Sequence, residues 1–201
     1  TTASNQALAF NDTRYVTMGA ATATLGASNL TLECWFKRTG TGTTTSTGTG
    51  GVTAAIPLVT KGRSEADGTN QDCNYFFGID ATTNKLCADF EAQAGVSGIT
   101  AGQNYPIIGS TVIQNDTWYH AAVTYDGNTA TWTLYLDGVA TGTATAAAGA
   151  LPRYDSIQHF GIGAAFTSTG VAEGAFAGRI DEVRVWNYAR SASEIAGAKD
   201  Y

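Results

Sequence analysis

Positive charge is scarce in this chain. Lysine and arginine number 11 against 17 acidic residues, a formal net charge of −6 over 201 residues. Phosphate backbones are held by clusters of basic side chains, so this balance argues against a nucleic-acid partner. It is compatible with cation binding and with neutral glycans. Long apolar runs are also missing. None approaches the ~20 residues of a bilayer-spanning helix, which argues against membrane insertion. The chain opens on the polar TTASNQ rather than on a charged then apolar leader. Its start is therefore expected to be a domain boundary or a processed end, with 1–201 forming one domain excised from a larger extracellular protein. Histidine occurs only at His120 and His159, too few for an easily built transition-metal cluster. No Gly-x-Ser-x-Gly elbow, Gly-x-Gly-x-x-Gly or Walker pattern supplies a nucleophile or a phosphate cradle. Both histidines are read as packed or hydrogen-bonded sheet residues.

What is abundant is Thr, Ala and Gly, with 24 glycines against 3 prolines and 43% hydrophobic residues. That composition favours strands and turns over helices. Low lysine with abundant Thr, Gly and Asn points to a secreted or cell-surface protein. Alternating segments recur, giving about twelve strands: Ala7–Phe10, Tyr15–Met18, Leu30–Lys37, Ile56–Lys61, Asn74–Asp80, Lys85–Glu91, Thr111–Gln114, Tyr119–Tyr125, Thr131–Leu136, Val139–Ala144, Ile157–Ile162 and Arg179–Asn187. Asp137-Gly138 between Leu136 and Val139 is a two-residue hairpin signal. Alternation in the last strand puts Asp181, Val183 and Val185 on one face and Ile180, Glu182, Arg184 and Trp186 on the other. Ser191 with Glu194 forms a capping box, so one short helix is predicted near Ser191–Gly197. The fold class is all-β, an antiparallel two-sheet sandwich.

Three cysteines leave at least one unpaired within the chain. Cys73 and Cys87 flank a hairpin from Asn74 to Glu91. Setting Ile79 opposite Leu86 also sets Phe77 opposite Ala88, Tyr75 opposite Phe90 and Asp80 opposite Lys85. In that register Cys73 and Cys87 point to opposite faces and cannot bridge. Cys34 shares the Leu30, Leu32 and Phe36 face, that of the core. Three segments break the strand pattern: Thr39–Thr53, Gly62–Asp72 and Ala92–Gly109. They read as long loops on a rigid scaffold, where binding function concentrates.

Four pieces, ALAFNDTRYVTMG (Ala7–Gly19), LTLECWFKR (Leu30–Arg38), TWYHAAVTYDG with TWTLYLDG (Thr117–Gly127, Thr131–Gly138) and FAGRIDEVRVWNYARSASEI (Phe176–Ile195), together resemble the laminin-G-like, concanavalin A-like jelly-roll modules of extracellular proteins. The resemblance implies a jelly roll that serves in glycan binding, in adhesion or as a spacer beside other domains. It extends to β-glucanases, whose active strand carries Glu-x-Asp-x-x-Glu. Retaining hydrolysis needs two carboxylates ~5–5.5 Å apart. Asp89 and Glu91 come nearest to that pattern, and an exposed sheet face accounts for them better. In the resembling sandwiches an aspartate on the last strand holds a structural Ca²⁺, completed by carbonyls of the N-terminal segment. Carried over, this implies Asp181 with Asn11 and Asp12.

A second calcium candidate follows from the hairpin register, which brings the Gly62–Asp72 loop and Glu91 to one end of the sandwich. Glu65, Asp67, Asn70, Asp72 and Glu91 supply oxygen ligands of the kind Ca²⁺ takes. For a sugar, loop aromatics are the informative ones, and Tyr105 and Tyr154 are the candidate platforms. The reading is a non-catalytic extracellular binding or adhesion module with one or two structural Ca²⁺ ions. Its partner would be a glycan or a cell-surface or matrix protein. The alternative is a structural repeat of a surface fibre or sheath, self-associating through neighbouring copies. A glycoside hydrolase is the least supported.

Overall fold

In the computed structural model, which describes residues 6–11 and 13–199, fourteen strands are found among the described residues. In chain order they are β1 (Leu8–Phe10), β2 (Val16–Thr17), β3 (Leu30–Arg38), β4 (Ala55–Lys61), β5 (Tyr75–Asp80), β6 (Lys85–Asp89), β7 (Ile107–Val112), β8 (Trp118–Asp126), β9 (Thr131–Leu136), β10 (Val139–Thr145), β11 (Phe160–Ile162), β12 (Ala165–Phe166), β13 (Ala172–Glu173) and β14 (Gly178–Trp186). Two helices accompany them, α1 (Thr22–Leu25) and α2 (Ala192–Ala198). None of the helices is long and apolar enough to cross a membrane. One six-stranded sheet runs β1-β14-β3-β8-β9-β10 and the other β2-β11-β4-β5-β6-β7, with β12 and β13 as a separate pair. Every pairing is antiparallel, so this is the expected jelly-roll sandwich.

The core lies between the sheets because alternation turns one side of each strand inward. Leu30, Leu32, Cys34 and Phe36 of β3 face Val59, Tyr75, Phe77, Ile79, Leu86 and Ala88 of the opposite sheet within one buried cluster. Phe90 stands at its centre, with ring centroids 4.8 Å from Tyr125, 5.2 Å from Tyr105 and 5.3 Å from Trp132. The hairpin register is the expected one, with Phe77 opposite Ala88, Ile79 opposite Leu86 and Asp80 opposite Lys85. Asp137, with φ of 50°, and Gly138, with φ of 79°, make the β9–β10 turn. Ser191 caps α2 in a complete capping box with Glu194.

Bulges account for the departures. In β14 the pairing passes from Asp181 opposite Trp35 to Arg184 opposite Glu33, so one extra residue is inserted. Glu182 absorbs it with a φ of 50°. Ile180 and Val185 therefore share the inner side, while Asp181, Arg184 and Trp186 share the outer side, which corrects the uninterrupted alternation expected there. Pro57 occupies a second bulge, in β4. A bulge is where proline is tolerated within a sheet. β7 begins at Ile107, earlier than predicted, and the short α1, β12 and β13 lack any periodic signal.

A third irregularity corrects the thiol argument. Asn74 donates its N–H to the Lys61 carbonyl although Tyr75 already stands opposite Lys61. The alternation slips there, and Cys73 falls into the same small outer cluster as Cys87, with Val52, Ala55, Phe76 and Ala165. All three cysteines are nonetheless free and buried. Burial pushes the Cys34, Cys73 and Cys87 thiols well above their ordinary value. Native protein should therefore react negligibly with a thiol reagent, releasing three equivalents only in denaturant. Early reaction of one equivalent, or a Cys73–Cys87 link in non-reduced peptide mass spectra, would contradict this.

Candidate functional site

Two polar arrangements lie outside the apolar core. The first is built on the outer side of β3 and β14. There Arg184 and Trp186 flank the end of β14, and the chain folds back over them through Tyr188 and Arg190 into α2. Thr31 pins this return by donating to the Tyr188 carbonyl at 2.8 Å and accepting the Arg190 N–H at 2.9 Å. The Tyr188 ring meets Trp186 edge-on at 5.8 Å, and the Arg190 guanidinium lies 4.8 Å from the Trp186 ring centroid. Between β14 and α2 a cavity of about 310 Å³ is lined by Arg184, Trp186, Arg190, Glu194, Gly197 and Ala198.

Beneath it Glu33 is wholly buried, paired with Arg190 and 3.4 Å from His120 Nε2. Burial raises the Glu33 carboxyl, but the His120 and Arg190 contacts outweigh it and hold the group below its ordinary value. Arg184 is paired with Glu182 at 2.7 Å. Trp186 Nε1–H and Arg190 Nε–H are buried without a partner behind this lining. What the lining offers a polar ligand is the pair of guanidiniums, Arg184 and Arg190, beside an aromatic ring.

The second arrangement lies on the outer side of β5 and β6, under the Thr39–Thr53 loop. Asp89 is fully buried and Glu91 nearly so, which corrects the exposed sheet face expected for the pair: the loop lies across that face. Asp89 Oδ2 accepts Thr47 Oγ1–H at 2.6 Å and Asn104 Nδ2–H at 2.9 Å, and its Oδ1 accepts the Tyr105 N–H at 2.9 Å. Glu91 Oε2 accepts the Cys73 N–H. Asp72 Oδ2 meets Arg153 Nη1 at 3.2 Å. Lys61 is buried and donates to the Ser156 and Gln158 carbonyls at 2.7 Å each. Desolvation pushes Asp72 up to about 6, Asp89 to about 7 and Glu91 to about 8, partly offset by their hydrogen bonds. It pushes Lys61 down to about 8.

The expected ligands are only partly brought together. β1 pairs with β14 so that Leu8 faces Ile180 and Phe10 faces Gly178. Asp181 thus stands near the Ala7 level, about four residues or roughly 13 Å along the strand from Asn11. Asp181 Oδ1 accepts the Glu182 N–H at 2.9 Å, and Asn11 Oδ1 accepts the Thr13 N–H at 3.1 Å. Asp12 lies outside the described residues. Glu65 turns away, accepting from Ser168 N–H at 2.8 Å and Gln158 Nε2–H at 3.0 Å. Asp67 is exposed, whereas Asp72 and Glu91 are buried in the second arrangement. Tyr105 is packed onto Phe90 rather than presented as a platform. Tyr154 is 46% exposed, and it does not line the cavity. Among the described residues no three His, Cys, Asp or Glu side chains form a metal-binding group by themselves.

Sequence reasoning missed Trp186 and Arg190 as a pair, and Asn104. The signal for the first was the strand-to-helix return itself, since a capping box five residues after a strand end forces the chain back over that end. Asn104 belongs to no motif, and its role appears only when the Thr39–Thr53 loop folds over β6 and takes its Nδ2–H.

A family model described as the concanavalin A-like lectin/glucanases superfamily matches residues 10–196. No curated protein matches the sequence. The CBM40 domain of the Ruminococcus gnavus IT-sialidase, solved bound to α2,3-sialyllactose, has a similar structure with a TM-score of 0.69 at 15% identity, over 96% of each chain. A putative carbohydrate binding protein from Bacteroides ovatus is similar at a TM-score of 0.61 and 20% identity, over 94% of this chain and 45% of that one. A heptameric SAP-like pentraxin from Limulus polyphemus gives a TM-score of 0.58 at 15% identity, over 95% of this chain and 80% of the other. At these identities the likeness is one of fold.

Proposed function

This chain belongs to the concanavalin A-like lectin/glucanases superfamily, and on that footing we propose that it is a non-catalytic, extracellular glycan-binding module. The observation that carries the reading is the cavity between β14 and α2. It combines an indole, two guanidiniums and a carboxylate, in a fold shared with structures described as carbohydrate-binding. A pyranose offers apolar C–H surface to a ring and hydroxyl oxygens to guanidinium donors, and residues of both kinds line the cavity. The non-catalytic part is supported by the state of the nearest carboxylate pair. Asp89 has both oxygens engaged and is sealed under a loop, and Glu91 is buried beside it. Neither is free to protonate a leaving group or attack a sugar. The extracellular setting rests on the composition.

A glycan array followed by isothermal titration with the best saccharide tests the reading. Trp186→Phe shrinks the aromatic platform and should weaken binding about tenfold, the worth of roughly 1.4 kcal/mol of ring contact. Tyr154→Ala should leave affinity unchanged. An array without any retained saccharide would reject the function. Loss on Tyr154→Ala with none on Trp186→Phe would move the site to the Arg153–Asp155 turn.

A further inference from the structure

Under the Thr39–Thr53 loop, two acceptor oxygens are buried with nothing to accept from. Glu91 is 1% exposed and Asn104 7%. Glu91 spends Oε2 on the Cys73 N–H, and Oε1 has no partner. Asn104 donates Nδ2–H to both the Thr47 carbonyl and Asp89 Oδ2. Those two bonds fix the amide orientation and leave Oδ1 as the unpartnered atom. The two free oxygens flank Gly48. A Cβ placed on Gly48 would lie 2.5 Å from Glu91 Oε1 and 2.8 Å from Asn104 Oδ1, so they are no more than about 5 Å apart.

Leaving such acceptors dry is costly, about 1–3 kcal/mol for each unsatisfied buried group and more for a charged one. The neighbouring cationic side chains are already committed. Arg153 pairs with Asp72 and Asp155, Arg63 with Glu173, and Lys61 with two main-chain carbonyls. The donors are hard oxygens, a carboxylate and an amide carbonyl, which is the set a calcium ion prefers to nitrogen or sulfur. Cys73 Sγ is engaged with the Lys61 carbonyl, so sulfur does not enter.

We propose that Glu91 Oε1 and Asn104 Oδ1 bind a calcium ion that fastens the Thr47–Gly51 turn to the outer side of β6. Main-chain carbonyls and water would complete the six to eight oxygens calcium takes. This goes beyond the glycan reading and does not depend on it, because the cavity beside α2 uses none of these residues. It also replaces the expected five-residue loop site by a smaller one that keeps Glu91 and adds Asn104.

The test strips the full chain with EDTA, then titrates CaCl₂ at pH 8.5, above the value of about 8 to which desolvation pushes Glu91 in the metal-free chain. Thermal melting is followed, with amide hydrogen exchange of the loop as a second readout. At a hundredfold excess over Kd the melting temperature should rise by roughly 5–10 °C, and exchange at Gly48–Val52 should slow. Glu91→Gln should abolish both responses. In EDTA, Glu91→Gln should keep the wild-type circular dichroism spectrum and a cooperative melt, which guards against misreading a variant that folds poorly. Asp181→Ala should respond like wild type. A wild-type chain indifferent to calcium in both readouts would overturn the proposal, as would an unchanged response in Glu91→Gln or its loss in Asp181→Ala. Saccharide affinity in Glu91→Gln should be unchanged, so failure here and failure of the glycan reading are distinguishable.

Discussion

In metal-free buffer the protein should lose stability as pH rises from about 5 to about 8. The groups responsible are Asp72, Asp89 and Glu91, pushed up in the fold to about 6, 7 and 8 by desolvation. The unfolded chain ionises them near 4, so between these limits it binds fewer protons than the folded one. Stability falls wherever the folded state holds more protons. The contribution is complete below the unfolded values and gone above the folded ones. At the acid end the trend reverses, because Glu33 and Glu65 are held below their ordinary values and lose their support on protonation. Lys61, pushed down to about 8, adds a recovery above that pH. A tenfold change in proton affinity is worth about 1.4 kcal/mol. Three carboxyls, each altered by even that much, would lower the melting temperature by on the order of 10 °C between pH 5 and pH 8. Melting curves in EDTA across pH 3–10 should show a maximum near pH 5 and a minimum near pH 8. A flat profile from 5 to 8 would mean the three carboxyls are solvated.

Phe90→Ala should be among the most damaging single changes. Phe90 touches Tyr105, Tyr125 and Trp132, so it joins the two sheets through one ring. Truncating a buried Phe typically costs ~3–5 kcal/mol through lost transfer energy and an unfilled cavity. For a domain of this size that is a drop of roughly 6–20 °C. The position also separates Asp89 from Glu91, so slack there should loosen the polar network on the opposite side of the strand. Circular dichroism melts of the variant provide the check, and a drop below 3 °C would mean the aromatic cluster closes over the gap.

The sequence carried the strands with an uninterrupted period of two. The Tyr75–Asp89 hairpin was legible down to its register, because apolar partners and the Asp80–Lys85 pair agree on one alignment. The bulge at Glu182 was not legible, since a left-handed glutamate has no local signature and only the pairing with β3 requires it. That single inserted residue reversed the expected faces of the last strand. It also decided that Trp186 faces the cavity and not the core. The Thr39–Thr53 loop was read as Gly/Thr chain with no core residue before Val52, yet Thr45 and Thr47 are buried in it as well. Its glycines serve close approach: a Cβ on Gly51 would lie 2.5 Å from Asp89 Oδ2. Composition alone does not distinguish a glycine that loosens a chain from one that lets it lie flat on buried carboxylates. For the calcium residues, oxygen chemistry was legible and convergence was not, because convergence depends on which way each loop turns after its strand.

The way the two sheets end has a bearing on solubility. β7 and β10 are the final strands of their sheets on one side, and they pack against each other. Gly142 makes this closeness possible, since a Cβ there would already sit 3.2 Å from the Ile108 carbonyl and 3.3 Å from Gly109 Cα. On the far side the sheets end in β1 and β2, of three and two residues. Sheet borders are templates for unwanted pairing with other chains when they are long and bare. Here one pair of borders shields itself and the other is too short to recruit a strand. A module arranged this way can be held at high local density, many copies side by side, without its backbones zipping together into fibrils.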